Sequence, residues 1–203
     1  MASLKIYGDP RTRTVRTLWM MGELGVAYEH VPVGTRDGGN LKPDFLAVNP
    51  NGRVPAIDDG GFVLTESMAI NLYLAKTYGG PLYPTTAQGE ARAWQWSFWA
   101  VTEVDKTIID WALHSSVLPE AERDSKRARA ARLELERPLA VLQDALAKAA
   151  WLVDDRFTVA DLNVASVMYR ALWMDLDDKP QLRDWLRRCW DRPAGRAARA
   201  MRE

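Results

Sequence analysis

Two runs, Asn49-Pro50-Asn51-Gly52-Arg53-Val54-Pro55-Ala56-Ile57 and Thr65-Glu66-Ser67-Met68-Ala69-Ile70, hold the residue types best suited to grip a small peptide. Pro55 has no N–H and restricts Val54 to extended geometry. With a cis Val54–Pro55 bond, the Val54 amide and carbonyl point outward. An extended ligand can then pair with them as an added strand does. Ser67 falls where a strand pattern gives way to the helical apolar pattern Met68 to Leu74. It either caps that helix or lies in its first turn, and the free amides there favour an anion. Glu66 beside it favours an ammonium. An amino-acid head group carries both charges, so the pair suits one. The same pair also reads as an ordinary capped helix start with a solvated glutamate.

The elements that must position these residues alternate over the first part of the chain. Strand-like runs are Leu4–Tyr7, Ala27–Val33, Val54–Ile57 and Phe62–Leu64, with a hairpin signal at Asp58-Asp59-Gly60-Gly61. Helical patterns are Thr14–Leu24, a short Pro43–Val48, and Ser67–Tyr78. The order is βαβαββα. Gly79-Gly80-Pro81-Leu82-Tyr83-Pro84 is rich in breakers. Beyond it the pattern holds helices alone, expected at Ala87–Ser115, Glu120–Ala149, Val159–Trp173, Gln181–Arg192 and Pro193–Arg202. Pro138 is expected to kink or split the second of these. Thr158 and Asp161 have capping-box spacing, with Phe157 placed to staple onto Leu162. The expected division is an α/β domain over 1–79, a linker over 80–86 and an all-helical domain over 87–203.

Bulk properties exclude several classes. The 203 residues carry 27 Lys plus Arg and 27 Asp plus Glu, so no global charge favours nucleic acid or an anionic membrane. No apolar run approaches the ~20 residues that span a bilayer. His30, His114 and Cys189 lack metal-ligand spacing, so no metal is expected. One cysteine makes no internal disulfide. With no signal-peptide layout at Met1-Ala2-Ser3-Leu4-Lys5, a cytoplasmic location is the expectation.

The pattern NPxGxVPxI, a short hairpin and ESxAIxxYL resembles the glutathione site of the cytosolic glutathione transferase family. Leu4 to Pro10 is similar to that family's first strand and following loop, and Trp19 to Glu29 to the end of its first helix and the start of its second strand. Phe157-Thr158-Val159-Ala160-Asp161 resembles a helix start of the second domain. Trp185, Cys189 and Arg192-Pro193-Ala194 resemble its closing helices. These pieces span nearly the whole chain in order. The resemblance implies a thioredoxin-like first domain, an all-helical second domain, glutathione as co-substrate and a homodimer.

It also implies a chemistry. An unperturbed thiol ionises near pH ~8.5, and lowering that by about 2 units takes roughly 2.7 kcal/mol of preference for the thiolate. A hydroxyl donor at a helix N-terminus supplies much of it. Serine-type members carry their active hydroxyl four residues after a Tyr-Gly pair, which here is Thr12, with Thr14 the second candidate in a serine/threonine-type loop. Threonine departs from serine by a methyl group. Tyr7 is the third candidate, though this tyrosine is usually structural in serine-type classes. The loop has no cysteine, which argues against disulfide reduction.

By the same resemblance, Val54 pairs with the cysteinyl backbone, and Glu66 and Ser67 take the γ-glutamyl end. Asn40, Lys42 and Arg53 are placed for the glycyl carboxylate, with Arg53 offering a fork of donors. Arg13 and Arg16 either raise the potential near the sulfur or are simply solvated. An apolar electrophile is expected between the domains, along the helix holding Trp94, Trp96, Phe98, Trp99, Ile108, Trp111 and His114, with Arg11 and Trp111 lining its pocket. The dimer seam is expected around Met68 and Asn71 and around Trp94 to Asp105, with Glu103 or Asp105 reaching a neighbour's glutathione.

The expected function is therefore detoxifying transfer of glutathione to alkyl or aryl electrophiles. Two alternatives stay open. One is a glutathione-dependent isomerase, dehalogenase or peroxidase of the same fold. The other is a non-catalytic glutathione- or ligand-binding protein, which the exchange of serine for threonine favours.

Overall fold

The computed structural model describes residues 4–202. The chain divides into two compact units, 1–83 with 191–203, and 84–190.

The first unit is built on a four-stranded sheet in the order β2-β1-β3-β4, from β1 Leu4–Tyr7, β2 Glu29–Val31, β3 Ala56–Asp59 and β4 Phe62–Thr65. β1 runs parallel to β2 and antiparallel to β3, with Ile6 opposite His30 and Ile57. Around the sheet lie α1 Thr14–Leu24, α2 Pro43–Val48 and α3 Ser67–Tyr78. Ile6, Ile57, Trp19, Ile70 and Leu74 have no exposed surface and form the core beneath the site. The hairpin between β3 and β4 turns on Gly60 and Gly61, at φ 63° and 96°, which only glycine adopts freely. Asp58 Oδ1 accepts the Gly61 N–H at 2.7 Å and closes the turn. The expected helix ends of α1, α2 and α3 coincide with the observed ones.

The closing helix α9 Pro193–Arg202 belongs to this first unit, whereas the sequence places it in the all-helical domain. It packs against α1. Gly22 of α1 lets it approach, since a Cβ there would meet Ala194 Cβ at 3.0 Å. Arg192 holds Glu23 with two bonds of 2.8 and 2.7 Å, and Trp19 Nε1 donates to the same carboxylate at 3.0 Å.

The second unit is helical: α4 Ala87–Trp99, α5 Asp105–Ala112, α6 Ser125–Leu146, α7 Val159–Val167 and α8 Pro180–Trp190. The expected single helix over 87–115 is instead α4 and α5 joined by a π segment, Ala100–Val104, with a second π segment at Leu113–Val117. Of the kink or split expected at Pro138, the split does not occur: α6 runs through it. Burial of Leu135, Leu139 and Leu142 on one face offsets the lost N–H bond. The capping box at Thr158 and Asp161 is present and opens α7, every residue of which is buried. Asp161 also accepts from Leu152 N and Trp185 Nε1, tying three segments together. Among the described residues no helix is long and apolar enough to cross a membrane.

Candidate active site

The loop from Asp9 to Arg13 connects β1 to α1 and carries the hydroxyls. Thr12 Oγ1 donates to the Asp9 carbonyl at 2.6 Å and accepts the Thr14 N–H at 3.2 Å. It lies 2.9 Å from Thr14 Oγ1. Thr14 is fully buried, whereas Thr12 is half-buried. Of the two threonines, Thr12 is the one that keeps exposed surface. Asp9 Oδ1 accepts the Arg11 N–H at 2.7 Å and shapes the turn. Arg202 of α9 donates to the Thr12 carbonyl at 3.3 Å.

Gly8 brings the parts of this corner together. Its φ is +138°, and a Cβ there would lie 2.0 Å from Thr14 Oγ1 and 3.0 Å from Val54 Cβ. No larger residue fits between Thr14 and Val54. The Gly8 carbonyl, an acceptor, meets His30 Nε2 at 2.8 Å, so that nitrogen carries the proton. The Val54–Pro55 bond is cis. Among the described residues no backbone hydrogen bond engages the Val54 amide or carbonyl.

The loop before Val54 is held by Asn49, which is buried: its amide donates to Arg53 O at 2.6 Å and its Oδ1 accepts from Asn51 N at 3.1 Å. At the far side, Glu66 precedes α3 at φ 71° and ψ 111°, a costly conformation for a residue with a Cβ. No side chain caps this helix start, so its first-turn amides keep their capacity for an anion. Ser67 is buried, and Arg16 Nη1 donates to its Oγ at 3.4 Å. Glu66 is exposed beside it.

Residues 2–76 match the N-terminal domain of glutathione S-transferase, and 104–193 match its C-terminal domain. The chain belongs to the glutathione S-transferase family. It is 33% identical over 190 residues to glutathione S-transferase GstB of Escherichia coli K12, covering 91% of each chain. It is 36% identical over 176 residues to glutathione S-transferase 3 of Zea mays, covering 81% of this chain and 77% of that one. Its structure is similar to that of the theta class glutathione S-transferase of Xanthomonas axonopodis pv. citri, solved with glutathione bound. The TM-score there is 0.90 at 35% identity, covering 98% of this chain and 97% of that one.

Within this transferase the expected residues fall into distinct positions. Thr12, Thr14, Val54, Glu66 and Ser67 lie in the first unit, as do Arg11, Asn40, Lys42 and Arg53. Lys42 and Arg53 are exposed cations. Asn40 Nδ2 donates to Gly52 O at 2.7 Å, which uses one of its two protons and holds the loop, and its Oδ1 is buried without a partner among the described residues. Tyr7 packs its ring on Phe45, with centroids 6.1 Å apart, as a packing residue. Met68 and Asn71 are buried within the unit. Trp111 lies on α5 in the second unit, half-buried, and Cys189 is buried on α8.

Sequence reasoning placed Asn49 in the motif but not its role in holding the loop, which an Asx turn before Gly52 signals locally. It gave no role in the corner to Gly8, His30 or Arg202, which meet through pairing and packing between distant segments that no local pattern encodes.

Proposed function

We propose that this glutathione transferase ionises the glutathione thiol with the Thr12 hydroxyl and presents the thiolate to an apolar alkyl or aryl electrophile. One observation carries the reading: Gly8 lets Thr14, whose Oγ1 lies 2.9 Å from Thr12 Oγ1, and Val54 approach the same point, each with an atom within 3.0 Å of where the Gly8 Cβ would be. A tripeptide paired to the Val54 backbone has its central residue beside the loop. The γ-glutamyl carboxylate then meets Ser67 and the first-turn amides of α3, and its ammonium meets Glu66. Lys42 and Arg53 receive the glycyl carboxylate, with the second Asn40 amide proton as a further donor. The thiol proton leaves to solvent as the Thr12 hydroxyl turns toward sulfur. Arg11 and Trp111 are the proposed electrophile contacts, since an aromatic plane suits a flat apolar group.

The reading extends to a cytoplasmic, detoxifying homodimer that needs no metal. Trp94 and Phe98, large apolar residues exposed one turn apart on α4, support self-association. A second reading has one observation in its favour. The Thr12 proton is engaged by the Asp9 carbonyl, which suits a protein that binds glutathione without activating it.

Thiolate absorbance of bound glutathione, titrated with pH in wild type and Thr12→Ala, separates the two. Ionisation at least about one unit below the free thiol, lost in the variant, supports the transferase reading. Binding without any shift in the wild type leaves the ligand carrier as the function.

A further inference from the structure

We propose that Thr14 is a positioning residue that works through Thr12, so that the two hydroxyls act in series rather than as alternatives. This rests on the reading of Thr12 as the thiolate donor. The argument is a proton count. Thr12 Oγ1 carries one proton, and the Asp9 carbonyl at 2.6 Å can only accept it. The short contact of 2.9 Å between the two threonine oxygens therefore has Thr14 as its donor. Thr12 Oγ1 also accepts the Thr14 N–H at 3.2 Å. Its hydroxyl is saturated, with one bond given and two received.

Two consequences follow for a bound thiolate. Donation into Thr12 Oγ1 polarises its O–H and makes it a stronger donor. It also holds the oxygen in place while the proton exchanges the Asp9 carbonyl for the sulfur. Thr14 has no freedom to do otherwise. Its side chain is fully buried, and the absent Gly8 side chain leaves only enough space for Thr14 Oγ1 itself. The charged groups around the pair are Asp9, Arg11 and Arg13 in the loop, Arg16 on α1 and Arg202 from α9, with His30 on the Gly8 carbonyl. None of these is altered by changing Thr14, so a shift in the thiol is traceable to the hydroxyl.

The test is the pH titration of bound glutathione, with KM for glutathione, in wild type, Thr12→Ala, Thr14→Ala and Thr14→Ser. Expected is full loss of the shift in Thr12→Ala, a rise of about one unit in Thr14→Ala with KM within about twofold, and recovery in Thr14→Ser. If Thr14→Ala melts far below wild type, Thr14→Cys keeps the bulk with a weak S–H donor, and the same rise is expected. A thiol that titrates in Thr14→Ala and Thr14→Cys as in wild type, while Thr12→Ala loses the shift, overturns the series arrangement and leaves Thr12 as donor. A shift kept in Thr12→Ala and lost in Thr14→Ala overturns both. No shift in the wild type also overturns both.

Discussion

Arg16 on α1 and Ser67 at the start of α3 stand 51 residues apart in sequence, yet the guanidinium of one donates to the hydroxyl of the other at 3.4 Å, both side chains buried. The same Arg16 offers its carbonyl to Asn71 Nδ2 at 3.3 Å. The first and third helices are thus joined by polar contacts just behind the proposed γ-glutamyl site.

Removing that cation should loosen both helices. Arg16→Ala is expected to cost about 1.5–3 kcal/mol, the range for hydrogen bonds to a charged group. Glutathione should bind more weakly, because Ser67 loses its fixed orientation. Urea unfolding and a binding titration measure the two effects. Unchanged unfolding and unchanged affinity together would refute a holding role.

Gly8 tolerates nothing larger. Alanine there puts its Cβ 2.0 Å from Thr14 Oγ1 at φ +138°. Overpacking of this kind typically costs about 1–3 kcal/mol, with backbone strain added. The expected result for Gly8→Ala is a lower melting temperature and a thiol shift smaller than in wild type. If the variant melts with wild type and activates the thiol equally, the corner is not as tight as its geometry states.

Burial pushes the Asp161 carboxyl from its ordinary 3.8 up to about 6, against the four bonds it accepts from Leu152, Trp185 and Thr158. Because the folded value is the higher one, the folded chain keeps a proton that the unfolded chain has released between those two pH values. The stability from this group is full below pH 3.8 and is lost as pH rises through about 6. Two units correspond to about 3 kcal/mol. Asp161→Asn removes the titration. Wild-type stability minus that of the variant should therefore fall from pH 4 to 6 and then level, followed by urea unfolding at each pH. A flat difference rules out this source of pH dependence.

A smaller cluster joins the hairpin to α3. Asp59 Oδ2 accepts from Tyr73 at 2.8 Å and Tyr78 at 2.7 Å. The hydrogen bond to Asp59 is the largest cause that pushes the Tyr78 phenol from 10.0 up to about 12. In Asp59→Asn the Tyr78 ionisation should move back toward about 10. Ultraviolet titration of the tyrosines reads it directly, and an unmoved high-pH step would assign the effect elsewhere.

Much of this molecule was legible in its residues because the deciding interactions are local. Gly25 past α1, Pro43 and Pro193 at helix starts, and the Thr158–Asp161 box act within a turn of themselves, so the ends of those helices could be read directly. The motif around Val54 and Glu66-Ser67 was likewise visible as residue types in order. The sequence by itself thus determined the elements of the first unit and the family. Only the tertiary structure decided how those parts are used. It separated buried Thr14 from half-buried Thr12, tied one Asn40 amide proton to Gly52, and carried α6 through Pro138. It also moved α9 to the first unit through Arg192 and Glu23, which lie 169 residues apart. Each of these depends on which distant groups come within about 3 Å, where hydrogen bonds form and side-chain volume is counted. Spacing along the chain holds no record of that distance.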